Sequence, residues 1–266
     1  MTPEEHQEAA GQLLRAEETG QQCGLLSRAY PGMTLEDAYA VQQALIKQKL
    51  AFGRRKIGWK IGLTSRAMQQ ALGITTPDSG ILLDDMLFEH GDTVPAGRFI
   101  QPRIEAEIAF VMNSPVAGTH CTREEVIAAT GYVAPALEIL DTRIMRADPD
   151  TGLARIITDT ISDNAANAGV VLGAERHSID AHDLRWTGAI VSRDGVVEET
   201  GLGAGVLNDP VTSILWLARR MAEYGQEIEA GDIVLSGSFI RPIECPSGSR
   251  IQADFGAFGS VAISFE

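Results

Sequence analysis

After Thr34 the apolar positions Leu35, Ala38, Val41 and Leu45 recur at steps of three, three and four, the spacing of a helix with one buried face. Pro31-Gly32 closes the loop before it. Thr2-Pro3-Glu4-Glu5 predicts an earlier helix, because threonine and glutamate can satisfy each other's free backbone N–H groups and proline suits the first helical position. The polar run after it reaches about Thr19, so residues 1–55 read as a helical N-terminal segment.

From Lys56 the texture changes to short apolar runs broken by glycine, proline and aspartate, which predicts a sheet-rich domain over residues 56–266. Two helices interrupt it. Thr122-Arg123-Glu124-Glu125 is another capping box, and Asp209-Pro210 opens a segment with Ile214, Leu217, Ala218 and Met221 on one face. Residues 189–192 and 196–199 flank Arg193-Asp194-Gly195, where Asp-Gly supplies the positive φ of a tight hairpin. Residues 233–235, 250–255 and 260–265 read as further strands, and the fold class is α+β with helices leading and sheet following.

Two of the apolar runs carry acids. Ile104-Glu105-Ala106-Glu107-Ile108-Ala109-Phe110-Val111-Met112 reads as a buried strand, and strand alternation puts both of its carboxylates on one face. Glu138 is embedded in a similar run, Ala134-Pro135-Ala136-Leu137-Glu138-Ile139-Leu140-Asp141. Burying like charges together is costly unless a cation neutralises them. A divalent metal would do so, and hard oxygen ligands without nearby cysteine or histidine favour Mg²⁺ or Mn²⁺ over Zn²⁺. Arginine pairing is the other solution, with Arg103 on the Glu105 face and Arg143 near Asp141. Spacing leaves both open.

Lys60 sits among apolar residues and glycines in Lys56-Ile57-Gly58-Trp59-Lys60-Ile61-Gly62-Leu63-Thr64-Ser65, either aimed at an anion or snorkelling to solvent. Asp78, in Pro77-Asp78-Ser79-Gly80, is a candidate base or a plain turn aspartate. Residues 159–167, including Ser162 and Asn164, have the composition of a loop lining a polar ligand, although turn chemistry explains them equally well. Ser236-Gly237-Ser238 would offer hydroxyls and backbone N–H groups to a carboxylate, or simply end a strand.

Length and charge narrow the classes. A chain of 266 residues can bury roughly 70–75% of its unfolded surface in one large domain. Its net charge of -14 argues against nucleic acid and against an anionic membrane, and a small anionic ligand would need a local cation. Three cysteines without Cys-x-x-Cys spacing fit a reducing cytoplasm. The N-terminus shows no export signal, and no apolar run is long enough to span a bilayer. Gly201-Leu202-Gly203-Ala204-Gly205-Val206 lacks the third glycine of a dinucleotide fingerprint, no phosphate-binding loop occurs, and the five histidines fall in polar, loop-like surroundings that suggest solvated surface positions.

Together, residues 58–65, 77–80, 102–107, 135–138 and 159–167 resemble the fumarylacetoacetate hydrolase superfamily, in its branch of hydratases and decarboxylases of 2-oxo acids from aromatic ring cleavage. The resemblance runs nearly the full chain. Asp141-Thr142-Arg143, the long connection after it and residues 159–169 are similar to the hydratases of a seven-carbon 2-oxo diacid. It implies a β-roll catalytic domain behind the helical segment, Mg²⁺ held by Glu105, Glu107 and Glu138, a small 2-oxo acid substrate and a homo-oligomer. It further implies water addition to an alkene, with Lys60 as second electrophile or proton donor and Asp78 as base. Ser162, Asn164, Ser238 and Arg143 are the substrate-contact candidates, and Arg143 and Arg241 would either grip a distal carboxylate or form structural salt bridges. Trp59 departs from the polar residue usual at its position. Competing readings are hydration of a five-carbon dienoate, decarboxylation of 4-oxalocrotonate, hydrolysis of acylpyruvates, and a non-catalytic binding protein whose three acids form structural ion pairs.

Overall fold

Three helices lead the chain in the computed structural model: α1 (Pro3–Thr19), α2 (Leu26–Ala29) and α3 (Leu35–Ala51). The structure describes the backbone of residues 1–266 and every side chain but those of Met68, Ala71 and Leu72. The expected box forms between Thr2 and Glu5, and Thr34 makes the same reciprocal side-chain and backbone hydrogen bonds with Asp37. Ala9, Leu13, Val41 and Leu45 close a small core between α1 and α3, and Ile144 from the sheet region joins it. The helical segment is also bonded onward, since the Gln42 amide donates to Ser79 O and Ile161 O.

Strands β1 (Lys56–Gly62), β2 (Asp78–Leu83), β3 (Leu87–Glu89), β4 (Thr93–Val94), β5 (Arg103–Met112), β6 (Thr130–Leu140) and β7 (Asn167–Leu172) follow, with α4 (Arg66–Leu72), α5 (Arg123–Ala129) and α6 (Ile157–Ser162) between them. Next come β8 (Gly188–Arg193), β9 (Val196–Leu202), α7 (Pro210–Glu223), β10 (Ile233–Leu235), β11 (Ile243–Glu244), β12 (Arg250–Asp254) and β13 (Ser260–Phe265). One sheet runs β2-β1-β10-β5-β6-β7-β3 with β11 beside β5, and the other runs β4-β13-β12-β8-β9. The fold is α+β, as the patterns predict.

Local chemistry accounts for most of these elements. Asp194 and Gly195 take φ of 53° and 81° in the β8–β9 hairpin, the mirror-image turn that matches strand twist. Asp209 caps α7 through the Val211 N–H, with proline at the first helical position. Along β5, Ile104, Ala106, Ile108 and Phe110 enter the main core, so Glu105 and Glu107 are left on the opposite face with Ala109. Glu138 emerges on that same face of β6, beside Ala136.

Two expectations need correction. Residues 159–167 are not a loop: residues through Ser162 lie in α6, and Asn164, Ala165 and Ala166 then form a left-handed turn with φ of 51°, 53° and 58°. The histidines are not all solvated surface groups. His177 stacks on Phe258 at 4.7 Å with His182 edge-on to both rings, and His6 Nε2 lies 2.9 Å from Asp37. Aromatic packing and a carboxylate partner draw these rings in from water.

Candidate metal centre

Glu105 and Glu138 are directly opposed in the β5–β6 ladder, and Glu107 stands one same-face step along from Glu105. One carboxylate oxygen from each of the three lies within 4.8 Å of the others. Glu107 and Glu138 are fully buried. Among the described residues no arginine pairs directly with any of the three: Arg103 binds Glu244, though its charge also pulls on Glu105, and Arg143 binds Asp163. The cation in reach is Lys60, whose Nζ is 3.3 Å from Glu138 Oε1. One ammonium does not balance three carboxylates.

The protons show that imbalance. Burial, then Glu138, raises the Glu105 carboxyl to about 8. Burial, then Glu138 and Glu105, pushes Glu107 well above its ordinary value. Burial also raises Glu138, against Lys60 and the Asn167 amide. Each of the two buried acids has one oxygen held and one without a partner: Gly237 N–H donates to Glu107 Oε2 at 2.6 Å, and Asn167 Nδ2 to Glu138 Oε1 at 2.8 Å. Glu107 Oε1 and Glu138 Oε2 have no hydrogen-bond partner among the described residues. Buried carboxylate oxygens without donors, converging from two strands in an all-oxygen set, fit a hard divalent cation such as Mg²⁺ or Mn²⁺.

The left-handed turn places Asn167. Three consecutive residues in that region cost roughly 1–2 kcal/mol each for side chains other than glycine, and the surroundings hold them there. The Asn164 side chain accepts from Ile81 N–H and donates to Ile81 O, while the Arg143 guanidinium donates to Asp163 O and Asn167 O. Strain of this kind persists where the neighbouring structure over-determines it, and here its result is an amide aimed at Glu138.

Lys60 and Asp78 come from adjacent strands, in a register that pairs Lys60 with Gly80 and Gly62 with Asp78. Both are buried. Burial alone would lower the Lys60 ammonium, but Glu138 and then Asp78 more than offset it, so Lys60 stays charged. Burial raises the Asp78 carboxyl against the pull of Lys60, and its Oδ1 has no hydrogen-bond partner among the described residues. The two glycines make this room: a Cβ at Gly62 would sit 2.2 Å from Asp78 Oδ1 and 3.1 Å from Lys60 Nζ, and one at Gly80 would sit 2.5 Å from Asn164 O.

Trp59 turns to the other face and donates to Asp232 at 3.1 Å, so it takes no part beside Lys60. The substrate-contact candidates are engaged within the fold. Ser162 Oγ donates to Thr158 O, Ser238 Oγ donates to Ile240 O, Asn164 bridges to Ile81, and Arg143 is spent on Asp163. Arg241 pairs with Glu199. Residues 236–238 do present a backbone N–H to a carboxylate, but that carboxylate is the protein's own Glu107. Asn167, Gly62 and Gly80 join the centre without having been singled out. For the glycines the available signal is the i, i+2 spacing from Lys60 and Asp78, which puts each on the same strand face as its charged neighbour.

Comparison with known proteins places the chain in a family. The pattern of the fumarylacetoacetate (FAA) hydrolase C-terminal family matches residues 64–264. A 2-oxo-hept-4-ene-1,7-dioate hydratase of Escherichia coli is 49% identical over 260 residues, covering 98% of this chain and 97% of its own. A 2-keto-4-pentenoate hydratase of Paraburkholderia xenovorans is 38% identical over 266 residues, covering 100% of this chain and 97% of its own. Among solved structures, 4-oxalocrotonate decarboxylase from Pseudomonas putida G7, complexed with magnesium and adipate, superposes with a TM-score of 0.93 at 33% identity, covering 100% of this chain and 99% of its own. On family pattern, overall likeness and a shared fold, the chain belongs to the fumarylacetoacetate hydrolase family.

Proposed function

We propose that the protein is a metal-dependent hydro-lyase that adds water to 2-oxohept-4-ene-1,7-dioate, giving 4-hydroxy-2-oxoheptanedioate in homoprotocatechuate breakdown. Three glutamates converging on one point beside Lys60 and Asp78, two of them with a buried oxygen that has no donor, carry this reading. Support for the substrate comes from the 49% identical hydratase, and for the ion from the decarboxylase solved with magnesium. Glu105, Glu107 and Glu138 would hold Mg²⁺, or Mn²⁺, which would supply Lewis acidity toward the carboxylate and keto oxygens of a 2-oxo acid.

The chain's own groups would do the rest. Lys60 Nζ would stabilise the charge that develops on the keto oxygen as C3 gives up a proton and C5 takes one up, which moves the double bond into conjugation, or it would place a proton on that oxygen. Asp78, with Oδ1 free of donors, would take the proton from water as its oxygen bonds to C4, and C3 would receive a proton in exchange. Asn167 and the Gly237 N–H would orient Glu138 and Glu107 from behind. Neither Ser162, Asn164, Ser238 nor Arg143 is needed at the reacting atoms in this scheme.

Decarboxylation is the second reading, because the decarboxylase from Pseudomonas putida G7 shares the fold over the whole chain. Asp78, whose Oδ1 has no donor among the described residues and whose charge couples to Lys60, favours hydration, which needs a base for water. Incubating the purified protein with Mg²⁺ and the seven-carbon or five-carbon dienoate, following loss of ultraviolet absorbance and identifying the product, decides it. A 4-hydroxy-2-oxo diacid is the expected product. Released CO₂ would replace hydration by decarboxylation, and absence of both turnover and bound metal would leave a non-catalytic protein.

A further inference from the structure

A seven-carbon diacid carries a distal carboxylate that needs a cation, and the two arginines first considered for it are already paired. The connection that leaves β6 after Glu138 supplies another. Its residues 146–155 fold back on themselves: Arg155 N–H donates to Arg146 O, Ala147 bridges Ala154, and Asp148 N–H donates to Leu153 O. Asp148 closes the tip by accepting from the Thr151 hydroxyl and N–H and by pairing with Arg28. Bridging of Cys23 to Ile144, and of the Gln22 amide to Thr142 O, anchors the base on the helical segment. So braced, the connection sets Arg155 against Thr142, with Nη1 donating to Thr142 Oγ1 at 2.7 Å.

Four arginines gather at this end of the ladder, where Arg103 faces Leu140 one same-face step from the Glu105–Glu138 pair. Arg103 and Arg146 share Glu244, and Arg143 holds Asp163. Among the described residues Arg155 has no carboxylate partner. It is half-buried, and burial lowers its guanidinium against Asp163, with Arg146, Arg103 and Arg143 adding to the effect. Its charge also reaches the reaction centre, where it is one of those that favour ionised Asp78. A braced, half-buried cation with no carboxylate in contact among the described residues, whose charge is felt at Asp78, is short of one anion.

We propose that Arg155 is the specificity residue that receives the distal carboxylate of a dicarboxylic 2-oxo acid whose oxo-acid end lies at the three glutamates. The inference rests on the function proposed above.

Calorimetric titration with Mg²⁺ present tests it, using 2-oxoheptanedioate, a saturated analogue that cannot be hydrated, against 2-oxoheptanoate, which lacks only the distal carboxylate. Wild-type protein should prefer the diacid. Arg155→Gln should lose roughly 30- to 1,000-fold of diacid affinity, the loss expected when one partner of a desolvated charge pair is removed. Its affinity for the monoacid should stay within about threefold, and Arg155→Lys should recover part of the diacid preference. Equal losses for both ligands, an unchanged diacid affinity, or a wild type indifferent to the second carboxylate would overturn the assignment. Selective loss in a protein that hydrates neither dienoate would refute the reaction and leave Arg155 in its role, whereas hydration without selective loss would refute Arg155 alone.

Discussion

Glu105 and Glu138 oppose each other in register across β5 and β6, an apposition of like charges in a buried ladder. Opposed like charges destabilise a sheet. Here burial is the largest cause raising both carboxyls, so the strands close only with protons or a cation between them. That conflict between folding and charge is the centre's defining property.

Mg²⁺ should therefore stabilise the protein. At one hundred times its Kd an ion bound only by the folded state adds about 2.7 kcal/mol, which for a chain of this size raises Tm by roughly 5–10 °C. Differential scanning calorimetry with and without the ion should show that rise, and EDTA should reverse it. Glu107→Gln should abolish the response while raising the Tm of metal-free protein near pH 7, since folding would no longer require a buried carboxyl to take up a proton. A response that survives in Glu107→Gln would exclude Glu107 as a ligand.

Lys60→Met and Asp78→Asn should each lower kcat by about 10²- to 10⁴-fold, the range for losing a positioned proton-transfer group. Metal affinity, measured by titration, should hold in both. Unchanged turnover in either variant would remove that residue from the mechanism.

Gly62→Ala tests whether the space around the pair matters. The new Cβ would fall 2.2 Å from Asp78 Oδ1, while the backbone at this position lies outside the left-handed region. We expect turnover to drop at least tenfold from displacement of Asp78, with far-ultraviolet circular dichroism unchanged. Full activity would mean that the Asp78 carboxylate has room to move without consequence.

Asp148 gives the connection bearing Arg155 a pH dependence. The Thr151 hydroxyl and N–H, and then Arg28, hold its carboxyl down to about 2. A depressed carboxyl contributes stability that is present above its unfolded value and is lost as pH falls through the folded one. Asp148→Asn should thus lower the urea midpoint at pH 7, and the difference from wild type should shrink between about pH 4 and pH 2. A gap that stays constant over that window would show that the ionised form is not what matters.

Trp186, Ile190, Val196 and Val197 are exposed around the β8–β9 hairpin, an apolar surface of the kind that oligomers cover. Sedimentation velocity should find a homo-oligomer, and Val197→Glu should shift it toward the monomer. A wild-type monomer at micromolar concentration would refute the assembly.

Local chemistry made much of this protein legible in advance. Capping boxes at Thr2 and Thr122, the helix start at Thr34, the Asp194-Gly195 turn and the proline after Asp209 act within a few residues, so neighbouring positions suffice to place those elements. Strand alternation placed Glu105 and Glu107 on one face because its period of two is insensitive to the rest of the fold. Acids embedded in apolar runs flagged Glu138 as well.

Partner choice was decided by the tertiary structure. Whether Glu105 meets a metal or Arg103 depends on Glu244, which reaches β5 only through β11 pairing. The face of Trp59 depends on Asp232, and the amide of Asn167 reaches Glu138 only after a left-handed turn pinned by Arg143 and Ile81. Arg155 stands apart because the other three arginines of its group are taken, by Glu244 and Asp163. Propensity and periodicity act over one or two turns of chain, whereas charge neutralisation is settled among groups that the sheet brings together from distant segments.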